Sequence, residues 1–276
     1  MKLPNWVIPG SAVFFLGACT ALLSPIEQGR SIAAEAGFTP IHLPDARLRA
    51  FVKLAPGAVS TLSPVTIYIE SDGAPWRLPD EPPADPTPHK PMVLRMAASD
   101  PSGAVAYLGR PCQYLEAAEL AICNPALWMR GRFSEDAVAA SDRAITRIKE
   151  TAGAARVNLV GYSGGGSMAA LVAARRKDVA CLVTVAAPLD TDAWTRAIDV
   201  SPLDYSLNPA DAAPRLARIA QTHFQGGKDD LVPPTTSARF LREVPSAKVI
   251  KEADFDHACC WEDAWARLRP KSCLGP

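Results

Sequence analysis

The sequence predicts an α/β protein with a mostly parallel central sheet and helices on both faces. Short apolar runs bounded by Gly, Pro or Asp, typical of buried strands, alternate along the chain with longer stretches of helical periodicity. Crossover helices between successive strands favour a parallel sheet. The 276 residues, 48% of them hydrophobic, suffice for one domain with a sizeable core.

The elements follow one another from residue 48. The predicted strands lie at 48–54, 65–70, 104–108, 157–160, 179–185, 219–224 and 247–251, and the predicted helices at 91–98, 134–149, 167–174 and 261–268. Two long insertions, at 72–90 and 189–215, emerge at the carboxyl edge of this sheet. They either cover a site there and limit substrate size, or form rigid surface loops held by prolines.

The segment 161–165, Gly-Tyr-Ser-Gly-Gly, connects the strand at 157–160 to the helix that follows it. A sharp strand-to-helix turn of the form G-x-S-x-G needs glycine on both sides and exposes the serine hydroxyl at its apex. The helix also directs its free N–H groups and the positive end of its dipole at this point. Ser163 is therefore the candidate nucleophile.

A serine nucleophile needs a base and an orienting carboxylate, which follow it in the order acid then histidine. Asp229 comes directly after the strand at 219–224, and His257 follows the strand at 247–251. The carboxyl ends of parallel strands meet at one edge, so we expect these groups to lie near Ser163. Asp230 and Asp190 remain alternatives for the acid. His223, inside a strand, is interpreted as a packed core histidine.

These motifs together resemble the α/β-hydrolase superfamily over about residues 65–268. More narrowly, four stretches resemble a group of bacterial exported hydrolases without a settled substrate: 68–73, 85–88, 107–114 and 257–261. The resemblance implies the α/β-hydrolase fold, a mostly parallel sheet with helices on both faces and insertions at the catalytic edge. It also implies an oxyanion hole from the N–H of Gly164 and one N–H of Gly73 or Ala74. Asp72 departs from the pattern, because many relatives carry histidine there.

The implied activity is cleavage of a carboxylic ester or related acyl bond through an acyl-enzyme on Ser163, with His257 as base and Asp229 as acid. The expected substrate is a small molecule or an acyl ester. A peptidase or an acyltransferase can use the same three residues, and a non-catalytic exported binding lipoprotein is a further alternative.

The first residues predict export. A short apolar run precedes Leu16-Gly17-Ala18-Cys19, which resembles the lipobox of bacterial lipoproteins. The sequence thus divides into a signal peptide (1–18), an N-terminal segment (19–47) and a catalytic domain (48–276). It predicts a chain that is lipid-anchored at Cys19 in the bacterial envelope, facing the periplasm or in the outer membrane. An ordinary cleaved signal peptide is the alternative.

Export to an oxidising compartment favours disulfides. Cys112 and Cys123 are the favoured pair, and Cys273 is expected to reach Cys259 or Cys260. Cys181, inside an apolar strand, is interpreted as a buried free thiol.

The composition limits which binding partners are expected. The 29 basic and 29 acidic residues balance, so the chain has no net positive charge that would attract nucleic acid. The sequence contains neither zinc-ligand spacing nor a phosphate-binding glycine loop, so no metal or cofactor is expected.

Overall fold

The computed structural model describes residues 23–57, 63–74, 81 and 83–275. Its centre is an eight-stranded sheet in the order β1-β2-β4-β3-β5-β6-β7-β8. The strands are Thr39–Ile41 (β1), Ala50–Leu54 (β2), Val65–Ile69 (β3), Ala104–Leu108 (β4), Val157–Tyr162 (β5), Val179–Val185 (β6), Ala220–Gly226 (β7) and Lys248–Glu252 (β8). The pairs β1–β2 and β2–β4 are antiparallel, and all other neighbours are parallel. The predicted fold class is confirmed.

Helices connect these strands. They are Pro25–Glu35 (α1), Met92–Ala98 (α2), Ala117–Leu120 (α3), Glu135–Thr151 (α4), Gly164–Ala173 (α5), Thr191–Ala197 (α6), Pro209–Ala212 (α7), Ala238–Glu243 (α8) and Trp261–Leu268 (α9). Short 3₁₀ turns lie at Pro125–Trp128, Ala213–Leu216, Pro234–Ser237 and Arg269–Lys271. No helix in this described part is both long and apolar enough to cross a membrane.

The core is divided by the sheet. Successive residues of a strand point to opposite faces, and in β4 Ala106 and Leu108 join one apolar cluster while Val105 and Tyr107 join the other. Both faces are therefore buried, and for this reason the central strands are apolar runs rather than alternating ones.

The structure differs from the sequence prediction at the amino end. β1 pairs with β2 in register, so part of the segment assigned to 19–47 belongs to the same sheet as the catalytic domain. The division at residue 48 does not mark an edge of the folded unit. A three-residue strand with partly exposed side chains has too little pattern to be recognised from sequence. Cys19 and the predicted signal peptide, 1–18, lie outside the described residues.

The second insertion, 189–215, is more regular than predicted. It contains α6, capped by the Asp190 side chain, and α7, capped by Asn208 with Pro209 as its first residue. The Trp194 indole N–H donates to the Leu231 carbonyl at 2.8 Å, which ties this segment to the loop after β7. Of the first insertion, residues 75–80 and 82 lie outside the described part.

The cysteine pairing is partly corrected. A disulfide joins Cys112 to Cys123, the pair favoured from sequence. Cys273 pairs with Cys181, and Cys259 pairs with Cys260. The expectations of a free Cys181 and of a bridge from Cys273 to Cys259 or Cys260 were therefore wrong.

The path of the carboxyl tail is the physical reason for this correction. The N–H of Cys273 donates to Thr222 Oγ1 at 3.1 Å, so the tail lies against β7, beside β6 and Cys181.

Candidate active site

Ser163 lies between β5 and α5 with φ 52° and ψ −128°. A positive φ is unfavourable for a residue with a side chain, and here the N–H of Ser163 holds it by donating to the Val185 carbonyl at 2.8 Å. Its carbonyl accepts the N–H of Gly166 at 2.9 Å. The side chain is half-buried at the carboxyl edge of the sheet.

The glycines around Ser163 are required by close packing. A Cβ on Gly161 would overlap the carbonyl of Gly165, and a Cβ on Gly165 would overlap the carbonyl of Ile69 at the end of β3. A Cβ on Gly164 would overlap the carboxylate of Asp72. The turn is therefore tight against both β5 and the segment after β3.

His257 connects Ser163 to Asp229. Its Nε2 lies 3.0 Å from Ser163 Oγ, and its Nδ1 lies 2.9 Å from Asp229 Oδ2. The Asp229 side chain has no exposed surface, and its Oδ1 accepts the N–H of Val232 at 2.7 Å. The acid is thus fixed in the orientation that holds the imidazole, while 17% of the His257 side chain is exposed.

The other two candidate acids lie elsewhere. Asp230 is exposed, one residue beyond Asp229. Asp190 is buried, but its Oδ1 accepts the side-chain amide of Asn208 at 2.8 Å and the N–H of Ala193 at 3.3 Å. It serves as the cap of α6, so the geometry favours Asp229 for the acid.

Two aromatic side chains hold the backbone of His257. The Tyr162 hydroxyl donates to the His257 carbonyl at 2.7 Å, and the Trp261 indole N–H donates to the same oxygen at 3.1 Å. The Tyr162 and His257 rings also pack with centroids 5.3 Å apart. Sequence reasoning missed both roles, although Tyr162 occupies the first variable position of the G-x-S-x-G motif.

The N–H groups assigned to the oxyanion hole have different surroundings. Gly164 is the first residue of α5, so its N–H has no acceptor within the helix. The N–H of Ala74 donates to the Pro86 carbonyl at 3.2 Å, whereas that of Gly73 makes a longer 3.3 Å contact with Ser71 Oγ. Gly73 has φ +91°, and a Cβ there would overlap Pro86. Both N–H groups thus have an acceptor within the turn, and these contacts do not separate Gly73 from Ala74 as the second donor.

Asp72, the departure noted in the sequence, is bound by two arginines. Arg110 Nη1 lies 3.1 Å from one carboxylate oxygen and Arg132 Nη1 lies 2.7 Å from the other. Burial raises the pKa of the Asp72 carboxyl, but the attraction of Arg132 and Arg110 outweighs this effect, so the net pKa is lowered. The carboxylate is ionised at neutral pH. Neither arginine was recognised from sequence as part of the site.

A cavity of about 320 Å³ lies away from these groups. Its lining includes Leu171 of α5 and Asp192, Leu203, Asn208 and Arg215 of the segment 189–215, but none of Ser163, Asp229 and His257. Among the described residues, no cluster of three or more His, Cys, Asp or Glu side chains is arranged to hold a metal ion.

Comparison with known proteins identifies the fold. A family model described as alpha/beta hydrolase fold matches residues 111–224. No curated protein matches the sequence.

Three solved structures illustrate the likeness. A membrane phospholipase A, described as a novel bacterial virulence factor, is 14% identical, with a TM-score of 0.56 over 89% of this chain and 90% of that one. Est1E from Butyrivibrio proteoclasticus is 12% identical, with a TM-score of 0.58 over 85% and 98%. An acylaminoacyl peptidase from Pyrococcus horikoshii is 13% identical, with a TM-score of 0.59 over 83% of this chain and 39% of that one.

At these identities the likeness concerns the fold alone, and these neighbours include both a phospholipase and a peptidase. The matched family model spans Ser163, and the sheet order and the tight turn at that serine agree with it. The chain has the α/β-hydrolase fold, as its sequence motifs indicated.

Proposed function

We propose that the chain is a serine hydrolase that cleaves a carboxylic ester or related acyl bond. The observation that carries the proposal is the continuous pair of hydrogen bonds from Ser163 Oγ to His257 and from His257 to the buried Asp229. A serine at positive φ on a strand-to-helix turn, joined to an oriented imidazole, is the arrangement that nucleophilic acyl transfer needs.

In the proposed reaction, His257 Nε2 takes the hydroxyl proton as Ser163 Oγ attacks the substrate carbonyl carbon. Asp229 keeps the other ring nitrogen protonated and stabilises the imidazolium that forms. The tetrahedral oxyanion accepts hydrogen bonds from the N–H of Gly164 and from that of Gly73 or Ala74. His257 then gives its proton to the leaving group, and the acyl-enzyme is hydrolysed by water that the same imidazole activates.

A fluorophosphonate probe and a panel of p-nitrophenyl esters of rising chain length test this function. We expect the wild-type protein to be labelled, and Ser163→Ala to lose the label and about 10⁴-fold or more of ester turnover. His257→Ala is expected to behave similarly. Ser201→Ala and His89→Ala, both at exposed positions, serve as controls and are expected to keep label and turnover. Labelling of Ser163→Ala at the wild-type level would contradict the assignment.

Peptidase and acyltransferase activities use the same three side chains, so the panel includes a peptide p-nitroanilide and an alcohol acceptor. Faster amide than ester cleavage, or acyl transfer at the expense of hydrolysis, would move the assignment within the serine-enzyme class. A folded protein that neither takes the probe nor cleaves any substrate would favour the binding lipoprotein instead.

We further propose lipid anchoring at Cys19 in the bacterial envelope, on the support of the Leu16-Gly17-Ala18-Cys19 sequence. The protein is then expected in the membrane fraction, and Cys19→Ser to be released or to remain as an uncleaved precursor. A wild-type protein wholly in the soluble periplasmic fraction would argue for an ordinary cleaved signal peptide.

A further inference from the structure

Asp72 places a carboxylate directly beside the nucleophile turn. Both of its oxygens lie in the space that a side chain on Gly164 would fill, one residue from Ser163. The side chain of Asp72 is 26% exposed, so part of it faces solvent at this edge of the sheet. The absence of a side chain on Gly164 is what makes room for the carboxylate.

The carboxylate is held rigidly. Arg110 and Arg132 each bind one of its oxygens. Arg110 is itself fixed by donating from Nη2 to the Arg132 carbonyl at 2.5 Å, and Arg132 by donating from Nε to the Met129 carbonyl at 2.7 Å. A carboxylate fixed in this way presents its remaining lone pairs in one orientation and does not rotate away from a bound molecule.

Among Asp72, Arg110 and Arg132, the negatively charged side chain is the most exposed to solvent. The side chains of Arg110 and Arg132 are only 4% and 11% exposed, against 26% for Asp72. A molecule that approaches Ser163 therefore meets the carboxylate before the guanidinium groups. The three groups together carry one net positive charge, so the discrimination proposed below depends on direct contact, for which the carboxylate is the most exposed of the three.

We propose that Asp72 selects substrates with a positively charged group close to the scissile carbonyl, and disfavours those with a negative charge there. The inference rests on the proposed function, since it names the substrate class of the same site. An ammonium-type group next to the carbonyl would form an ion pair with Asp72 while the carbonyl carbon lies at Ser163. An anionic acyl group would be repelled by the same carboxylate.

Matched esters that differ only in charge test this selection. The first set of substrates, the acyl arm, places the charge on the acyl group. It compares the p-nitrophenyl ester of γ-trimethylammonio butyrate with the neutral isostere, in which tert-butyl replaces trimethylammonium, and with the anionic p-nitrophenyl monoester of glutarate. The second set, the alcohol arm, places the charge on the leaving group and compares butyrylthiocholine with its neutral tert-butyl isostere, so the two arms together show on which side of the carbonyl a charge is selected. We expect kcat/KM of the cationic ester to exceed that of its neutral isostere about tenfold in at least one arm. The glutarate monoester is expected to fall below both.

The substrate comparison on the wild-type protein tests the inference even if a variant fails to fold. The cationic preference should shrink as salt rises, because screening weakens a partly exposed ion pair. A cationic-to-neutral ratio near one in both arms at low salt would overturn the inference. It would leave the proposed function intact, since neutral esters and the fluorophosphonate probe still report that function.

Asp72→Asn removes the charge and keeps an oxygen for one arginine. We expect the cationic-to-neutral ratio to fall to about one in this variant and the glutarate monoester to gain. Asp254→Asn is the matched control: it removes one negative charge from the loop that carries His257, but its carboxylate is paired with Lys228 in solvent. The control is expected to keep the wild-type ratio. An unchanged ratio in a folded Asp72→Asn protein would show that another group makes the selection.

Discussion

The two sides of Ser163 are built in different ways. The proposed base side consists of His257, whose side chain contacts Ser163 Oγ, and Asp229, whose carboxylate contacts His257. The proposed oxyanion side consists of Gly164, Gly73 and Asp72, which contribute backbone N–H groups and one carboxylate that two arginines bind. The base side therefore depends on which side chains are present, whereas the oxyanion side depends mainly on where the backbone runs.

This difference has an energetic consequence. On the base side a single side-chain change removes a proton acceptor or an orienting charge. On the oxyanion side most side-chain changes leave the donors in place, and only a substitution that moves the backbone disturbs them. We therefore expect large, specific losses of rate on the base side and combined losses of rate and stability on the oxyanion side.

The largest effect is expected for Asp229→Asn. Loss of the buried carboxylate lets His257 adopt the tautomer that cannot accept the Ser163 proton, so ester turnover should fall about 10⁴-fold. Steady-state turnover with thermal melts as a folding control measures it. Asp230→Asn and Asp190→Asn are measured in the same way as comparison variants and are expected to lose much less turnover. A large loss in folded Asp190→Asn alone would move the acid one strand earlier.

The stability of the protein at low pH tests a buried histidine outside the proposed base side. His223 is 1% exposed, and its Nδ1 lies 2.8 Å from Thr184 Oγ1. Burial lowers its pKa from the ordinary 6.5 to about 4, so the folded chain keeps it neutral. Below pH 6.5 the unfolded chain takes up a proton that the folded chain does not. Stability should therefore fall by about 3 kcal/mol as the pH drops from 6.5 to 4.

Urea unfolding at a series of pH values measures this slope. His223→Gln should flatten this slope between pH 6.5 and 4, because it removes the group that burial keeps neutral. A slope that persists in His223→Gln would assign the acid sensitivity to other groups.

On the oxyanion side, Gly73→Ala is expected to cost about 2–3 kcal/mol of stability and about 10²-fold in turnover. Its φ of +91° is unfavourable for alanine, and the added Cβ would overlap the Pro86 carbonyl and displace the turn. Gly37→Ala is the matched control, because Gly37 has φ +78° with no atom within 4 Å of an added Cβ. The difference between the two variants in urea unfolding isolates the contact. Equal losses would show that the turn after β3 has room to adjust.

The smallest effect is expected for Tyr162→Phe. The variant removes the 2.7 Å hydrogen bond to the His257 carbonyl but leaves the donor from Trp261. We expect kcat to fall about tenfold with little change in KM, because the hydroxyl orients the imidazole without touching substrate. Tyr205→Phe, at an exposed tyrosine, is the control. A change confined to KM would place the Tyr162 ring in the substrate path instead.

The features that could be predicted from sequence are those that depend on residues close together in the chain. The segment 161–165 and the strand ends before Asp229 and His257 could be recognised because glycine requirements and apolar periodicity are local properties. For the acid, the sequence favoured Asp229 and kept Asp230 and Asp190 as alternatives. The folded loops bring Asp229 to His257, a contact that sequence order alone does not specify.

The sequence by itself determined the fold class and the serine turn, since apolar periodicity and glycine requirements are read from a few neighbouring residues. It also predicted His257 as the base, from its place after the last strand. The tertiary structure decided the partner of Cys181, the inclusion of β1 in the sheet, and the pairing of Asp72 with Arg110 and Arg132. These contacts join residues from about 10 to 90 positions apart. Their partners are selected by the path of the folded backbone, which no local pattern encodes.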